Sequence, residues 1–69
     1  METIKIKDEY IKLGQALKLA GFVESGVDAK AEIQEGYVKV NGEVEYQRGK
    51  KIHPGDVIEF EGQQVKVEN

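Results

Sequence analysis

The sequence predicts an α+β fold in which two short helices pack on a small, mostly antiparallel sheet. The spacing of apolar residues changes at Gly36, from helical before it to strictly alternating after it. Asn41-Gly42 then favours a tight hairpin, because both central residues of a type I′ turn need a positive φ. A chain of 69 residues is expected to form one domain, residues 1–69, with a small core. It contains no cysteine, so we expect no disulfide.

The first part of the chain is predicted to form a strand and a helix. Alternating isoleucines in residues 2–7 indicate the strand. Asp8 suits the N-cap of the helix, and Gly21 suits its C-terminal end. The apolar face of this helix comprises Tyr10, Leu13, Ala16, Leu17 and Ala20. We therefore expect Tyr10 in the core or at its edge.

The second helix is predicted to begin after Ser25 and to end at Gly36. Ser25 is followed three residues later by Asp28, as in a capping box, so its hydroxyl is expected to accept a hydrogen bond from the first turn. The apolar stripe of this helix comprises Val27, Ala29 and Ile33. Gly36 suits the left-handed position that ends a helix.

Strands with alternating apolar residues are predicted to follow. Val38 and Val40 point to one side of the hairpin and Lys39 to the other. The returning strand includes Tyr46, and we expect Tyr37 and Tyr46 to pack against neighbouring residues rather than to stack on bases. Two more strands, Val57–Phe60 and residues 64–67, are joined by a turn at Glu61-Gly62.

Composition and charge narrow the classes of function. The formal net charge of −3 disfavours a nonspecific nucleic-acid binder, which is usually basic overall. Phosphate contacts need only a local cluster, however, so the placement of the ten Lys and Arg residues matters more than their total. The sequence has neither a long apolar run nor a secretory signal, and we expect a cytoplasmic protein without membrane contact.

Four segments together carry a family resemblance: KLGQALKLAGFVESG, DAKAEI, EGYVKVNGEVE and KKIHPGDVIEF. They span residues 12–60 and resemble the alpha-L RNA-binding domain, a helix-helix-hairpin motif named after ribosomal protein S-four of the small subunit. The run G-x-V-x-V-N-G followed by P-G-D-V-I is quite specific. The runs SGVDAK and RGKK, with no catalytic domain attached, resemble the compact stand-alone bacterial branch that is associated with ribosomal RNA.

The resemblance implies an RNA-binding surface at individual positions of the helices and the hairpin. The matched positions are Lys12, Ser25, Lys30, Lys39, Asn41 and Lys51. Gly26 departs from the family, because many members carry Arg after the Ser. The lack of this Arg removes one phosphate contact. The glycine nevertheless lets backbone N–H groups at the helix start approach a phosphate directly.

The residues themselves offer the same chemistry. Residues 25–27 put free N–H groups at a helix start, which is an anion site. The loop after the hairpin supplies the cations Arg48, Lys50 and Lys51. The planar side chain of Arg48 suits a bidentate phosphate contact or a stacked base. Alternatively, Lys30 and Lys39 are ordinary solvated residues balanced by nearby glutamates. RNA binding predicts instead that the acids lie mostly on the opposite face.

The predicted function is noncatalytic binding of structured RNA, with ribosomal RNA as the leading class and a role in ribosome assembly or translation. Recognition is expected to follow shape and phosphate positions, because A-form major grooves are too narrow to read. With about four to six phosphate contacts, a plot of log affinity against log salt should have a slope of about −3 to −4. We expect a monomer without cofactor or metal.

Two other classes of function stay open at this point. A protein-interaction module is favoured by the acidic balance and by Gly26 in place of Arg. An enzyme would need a site around His53, the only histidine, which lies beside Pro54 without a partner in a recognisable catalytic pattern. We therefore expect no catalysis.

Overall fold

Two helices and seven strands make up the computed structural model, which describes residues 1–69. The helices are α1 (Leu13–Leu19) and α2 (Gly26–Gln34), and the strands are β1 (Glu2–Lys5), β2 (Ile11–Lys12), β3 (Val38–Val40), β4 (Glu43–Val44), β5 (Lys51–Ile52), β6 (Val57–Phe60) and β7 (Gln63–Glu68). Five strands form a sheet in the order β1-β7-β6-β3-β4, and β2 pairs separately with β5. Every pair is antiparallel except β1 with β7. The predicted α+β fold is confirmed.

A single cluster of 13 buried apolar residues forms the core. The five-stranded sheet contributes Ile4, Val38, Val40, Ile58, Phe60, Val65 and Val67. The helices and β5 contribute Leu13, Ala16, Leu17, Ala29, Ile33 and Ile52. Side chains alternate between the two faces of a strand, so these sheet residues share one face. The helices cover that face and leave the other, called here the outer sheet face, in contact with solvent.

The start of α2 is as predicted. Asp28 N–H donates to Ser25 Oγ at 3.2 Å, and Ala29 and Ile33 are buried. The expectation that Val27 shares this stripe is wrong, because Val27 is 78% exposed. Two residues span about 200° of an α-helix, so Val27 faces away from the side that Ala29 buries.

Each helix ends at a glycine with a positive φ, as predicted. Gly21 has a φ of 79° and Gly36 a φ of 84°. Gly36 N–H donates to the carbonyl of Ile33 at 3.1 Å. Tyr37 N–H donates to the carbonyl of Glu32 at 3.2 Å. This paired arrangement satisfies carbonyl groups at the end of α2 that have no partner within the helix.

Two tight turns connect neighbouring antiparallel strands. Asn41 and Gly42 have φ values of 52° and 87°, as the predicted turn between β3 and β4 requires. Glu61 and Gly62 have φ values of 52° and 77° between β6 and β7. Both predicted turns are therefore confirmed. Each turn fixes the register of the two strands that it joins.

The start of α1 differs from the prediction, since the helix begins at Leu13 and the expected N-cap at Asp8 is wrong. The two residues before Leu13 instead form β2, which pairs with β5. Leu13 N–H donates to the carbonyl of Lys50 at 2.9 Å. Gly14 N–H donates to the carbonyl of Arg48 at 3.0 Å. These bonds satisfy two donors of the first turn without a capping side chain.

The tyrosines are placed at the periphery of the molecule. Tyr10 precedes β2 and is 37% exposed, so the expectation that it lies on the apolar face of the first helix, in the core or at its edge, is wrong. Tyr37 and Tyr46 are 60% and 62% exposed, and neither lies in a strand of the sheet. The hairpin is short, because β4 ends at Val44 and the chain leaves the sheet before Tyr46. The ring of Tyr46 instead lies over Gly36, where an added Cβ would meet its Cε1 at 3.3 Å.

A cluster of hydrogen bonds ties the tip of the hairpin to the turn before β6. Asn41 Nδ2 donates to Asp56 Oδ1 at 3.0 Å, and Val57 N–H donates to Asn41 Oδ1 at 2.9 Å. Asn41 N–H also donates to the carbonyl of Val57 at 2.8 Å. The second carboxylate oxygen of Asp56 accepts from His53 N–H at 2.8 Å. Asn41 therefore combines a left-handed backbone with two side-chain bonds to a distant segment.

We expect Asn41→Ala to lower the free energy of unfolding by about 2–3 kcal/mol, because it removes two hydrogen bonds and puts a residue without a polar side chain into a left-handed conformation. Asn41→Gly is the matched control. It loses the same bonds but accepts the φ of 52°, so its loss should be smaller by about 1 kcal/mol. Urea denaturation of the wild type and both variants measures the difference. An Asn41→Ala variant as stable as the wild type would contradict the structural role of this side chain.

Candidate nucleic-acid interface

A cationic depression of about 310 Å³ lies between α1, the start of α2 and the loop before β5. It is lined by Lys12, Gly14, Gln15, Lys18, Gly26, Arg48 and Gly49. We call it the basic cleft. Its lining contains three cations and three glycines, with no carboxylate and no apolar side chain. Of the residues predicted for the site, it brings together Lys12, Gly26 and Arg48.

The shape of the basic cleft follows from the close approach of α1 to the loop that holds Arg48. Gly14 N–H bonds to the carbonyl of Arg48, and a Cβ added to Gly14 would lie 3.7 Å from Arg48 Cβ. A Cβ added to Gly26 would meet nothing within 4 Å, so that side of the cleft is bare backbone. The first intrahelical bond of α2 is the donation from Ala29 N–H to Ser25 O at 3.0 Å. The N–H groups of Gly26 and Val27 precede it and have no acceptor within the helix.

None of the lysines or Arg48 takes part in an ion pair. The one contact within 4.0 Å between groups of opposite charge joins His53 Nδ1 to Asp56 Oδ2. The cations of the basic cleft are exposed as well as unpaired. Their charge is therefore not neutralised within the chain and stays available to an anionic ligand.

Two lysines face each other directly across the short ladder that ends at α1. Lys12 of β2 and Lys51 of β5 are Cα partners in this antiparallel pair. Like charges directly opposite on neighbouring strands are destabilising. An anion bound beside both side chains would relieve that repulsion. Lys51 Nζ lies 4.9 Å from the centroid of the Tyr10 ring, which partly offsets it in the free protein.

Lys50 and Lys51 border a second depression, of about 420 Å³, in which the charges are mixed. Its lining comprises Val40, Asn41, Glu43, Val44, Glu45, Lys50, Lys51, His53 and Asp56. The expected segregation of acids to the opposite face therefore does not hold here. The amide of Asn41, a predicted contact residue, is held by the hydrogen bonds to the turn before β6. The three acids in the lining make this depression a poorer phosphate site than the basic cleft.

The remaining predicted residues lie outside both depressions. Lys39 is on the outer sheet face, where it is the cross-strand partner of Glu59. That pairing matches the alternative of a solvated residue balanced by a glutamate. Lys30 is exposed on α2, one turn beyond Gly26 and on the same side of the helix. Ser25 caps α2 through its side chain and so holds the helix start against the cleft.

Lys18, Gly14, Gln15 and Gly49 belong to the basic cleft although they were not predicted as site residues. A signal for part of this set exists in the sequence. Lys12, Gln15 and Lys18 recur every three residues, which places them along one side of a helix, away from its apolar face. Pairing that side with the loop around Arg48 requires the tertiary structure.

His53 lies at the surface beside Tyr10. The side chain of His53 is 57% exposed, and its ring centroid lies 6.1 Å from that of Tyr10. No three His, Asp or Glu residues are grouped so that they could hold a metal ion. Neither helix has the length and apolar character that a membrane span requires.

Comparisons with known proteins agree with this architecture. A family model described as the S4 domain matches residues 4–68. The chain is 49% identical over 59 residues to the probable ribosome maturation protein RlbA of Bacillus subtilis (strain 168), in a match that covers 86% of this chain and 83% of that protein. It is 44% identical over 61 residues to YbcJ of Escherichia coli (strain K12), with coverage of 88% and 87%.

The fold is also similar to a solved structure. The solution structure of YbcJ from E. coli, described as revealing an alpha-L motif involved in RNA binding, aligns with a TM-score of 0.76 and 41% identity. The alignment covers 100% of this chain and 89% of YbcJ. The resemblance identified in the sequence is confirmed. The S4 family is not known as an enzyme family. The chain belongs to the S4 domain family and has the alpha-L fold.

Proposed function

We propose that this protein binds structured RNA without catalysis, and that the basic cleft is the centre of its RNA-binding surface. The observation that carries the proposal is the convergence of Lys12, Lys18 and Arg48 in one depression that no carboxylate lines. In a chain of net charge −3, such a local concentration of unpaired cations favours an anionic ligand. The bare backbone at Gly26 adds N–H donors for a phosphate oxygen.

Ribosomal RNA is the proposed target, with a role in ribosome assembly. Support comes from the name of the B. subtilis relative, a probable ribosome maturation protein, and from the description of the YbcJ motif as involved in RNA binding. The protein would act as a cytoplasmic monomer that needs neither metal nor cofactor. The full RNA-binding surface would extend from the basic cleft to Lys30 on one side and to Lys50 and Lys51 on the other. Lys39 lies on the outer sheet face and is left out.

Recognition would depend on phosphate geometry rather than on base sequence. The cations of the basic cleft are arranged around backbone groups of Gly14, Gly26 and Gly49, which present no side chain to read a base edge. Lysine acts as a point charge toward phosphate, whereas Arg48 also offers a bidentate fork. A shape-selective contact with the backbone of folded RNA fits these groups best.

A protein-interaction module is the second candidate function. The specific observation that favours it is the exposure of Tyr37 in a depression that Glu32 and Glu61 also line. Exposed aromatic residues are enriched in protein interfaces. RNA would be repelled by these acids, so this surface would act independently of the basic cleft.

Two triple variants with the same net charge test the RNA proposal. Lys12→Gln, Lys18→Gln and Arg48→Gln neutralise the basic cleft, whereas Lys5→Gln, Lys39→Gln and Lys66→Gln neutralise the outer sheet face. We expect the cleft variant to bind structured RNA about 10- to 100-fold more weakly and to lose about 2 from the magnitude of the salt slope. The outer-face variant should bind like the wild type. Titration of a ribosomal RNA fragment across a salt series measures both quantities.

Cosedimentation with ribosomal subunits across the same salt series identifies the particle. The wild type and the outer-face variant should move with one subunit at low salt and dissociate as the salt concentration rises. The cleft variant should stay at the top of the gradient. Equal loss of binding in both triple variants would mean that only net charge matters. Salt-independent association of all three proteins would favour the protein-interaction module.

We expect Gly26→Arg to strengthen RNA binding, because it restores the cation that many family members carry after the Ser. A side chain fits here, since nothing lies within 4 Å of an added Cβ and the φ of Gly26 is not in the left-handed region. One more phosphate contact should raise the affinity about 3- to 10-fold at low salt and steepen the salt slope by about 0.7. Gly26→Gln is the uncharged control and should leave the slope unchanged. A Gly26→Arg variant that folds but binds no more tightly than Gly26→Gln would place the phosphate elsewhere.

A further inference from the structure

We infer that Tyr10 and His53 form a stacking site for one unpaired RNA base at the edge of the basic cleft. The inference deepens the proposed function and rests on it, because it specifies the class of RNA that the same surface takes. That class is a helical RNA in which at least one nucleotide is unpaired, as at a bulge or a helix end.

The two rings lie together on the surface of the protein. Their centroids are 6.1 Å apart and their planes are tilted by 48°. Tyr10 is 37% exposed, and His53 is exposed as well. A charge also lies over the Tyr10 ring, because Lys51 Nζ is 4.9 Å from its centroid. An exposed aromatic pair with a solvated ammonium group over one ring is accessible to a planar ligand.

The stacking site adjoins the basic cleft. Tyr10 lines a depression of about 250 Å³ together with Asp8, Ile11, Lys12 and Gln15. Lys12 and Gln15 also line the basic cleft, so the two depressions share a wall. A phosphate held by Lys12 in the cleft would therefore leave the neighbouring nucleotide beside the Tyr10 ring.

The charges in the two depressions assign different parts of a nucleotide to them. The carboxylate of Asp8 lines the depression at Tyr10 and disfavours a phosphate there. The basic cleft has no carboxylate and favours one. A base carries no net charge and stacks on aromatic rings. The base would take the ring face that the Lys51 ammonium group covers in the free protein, and that group would turn to a phosphate.

The test uses two RNA hairpins of the same stem sequence, one fully paired and one with a single bulged 2-aminopurine. We expect the wild type to bind the bulged hairpin about 5- to 100-fold more tightly, the range that base–aromatic stacking supports. Stacking on the protein should change the fluorescence of the 2-aminopurine on binding. Tyr10→Phe keeps the ring and should retain both effects.

Tyr10→Ala should lose the preference for the bulged hairpin and the fluorescence change, while its affinity for the paired hairpin stays close to that of the wild type. His53→Ala is a second variant that leaves the backbone N–H bond to Asp56 in place, and it should weaken the preference. Unfolding midpoints of all variants control for loss of fold.

Equal affinity of the wild type for the two hairpins, without a fluorescence change, would overturn the stacking site while leaving the proposed function intact. A Tyr10→Ala variant that keeps the preference would also overturn it. If the wild type bound neither hairpin, the proposed function would fail together with the stacking site, and the two failures are therefore distinguishable.

Discussion

The pairing of β2 with β5 is the interaction on which the functional surface depends. It joins only two residues on each side, Ile11 and Lys12 with Lys51 and Ile52, yet it positions the loop before β5 against the start of α1. Through it, the loop before β5 supplies its carbonyl groups to the first turn of α1. A helix start that a side chain would usually cap is thereby closed by carbonyl groups of Arg48 and Lys50, from the loop before β5. The basic cleft is the space that this closure leaves beside α2.

The same pairing explains why two like charges, those of Lys12 and Lys51, repel each other in the free protein. Burial of Ile52 in the core requires the register that also brings Lys12 opposite Lys51. Core packing is worth more than the repulsion of two exposed lysines, because burying an Ile side chain contributes about 1.5–3 kcal/mol and a pair of exposed charges well under 1 kcal/mol. The residual repulsion is a local property that net charge does not reveal. An acidic protein can thus present a strongly cationic depression.

Much of the fold follows from short-range rules that act within a few residues. The Ser25 cap, the glycine ends of both helices and the two tight turns depend on the conformational demands of single residues, and all were predicted. Alternation in β3 and β6 likewise identifies which residues face the core. The wrong N-cap at Asp8 has a different kind of cause. The prediction rested on the local preference of Asp for an N-cap. In the structure, Ile11 and Lys12 instead form β2 by pairing with β5, and the helix begins only after them.

The sequence by itself determined the α+β fold, the second helix, the glycine ends of both helices, the two tight turns and the S4-family resemblance, because capping, periodicity and turn chemistry are local. Only the tertiary structure decided which cations act together. It placed Lys18 in the same depression as Lys12 and Arg48, and Lys39 opposite Glu59 on the neighbouring strand. It also placed Asn41 within hydrogen-bond distance of Asp56. It also brought Tyr10 beside His53. Most of these contacts link residues that are distant in sequence. Core packing and strand register decide which of them meet, and a local sequence pattern does not contain that information.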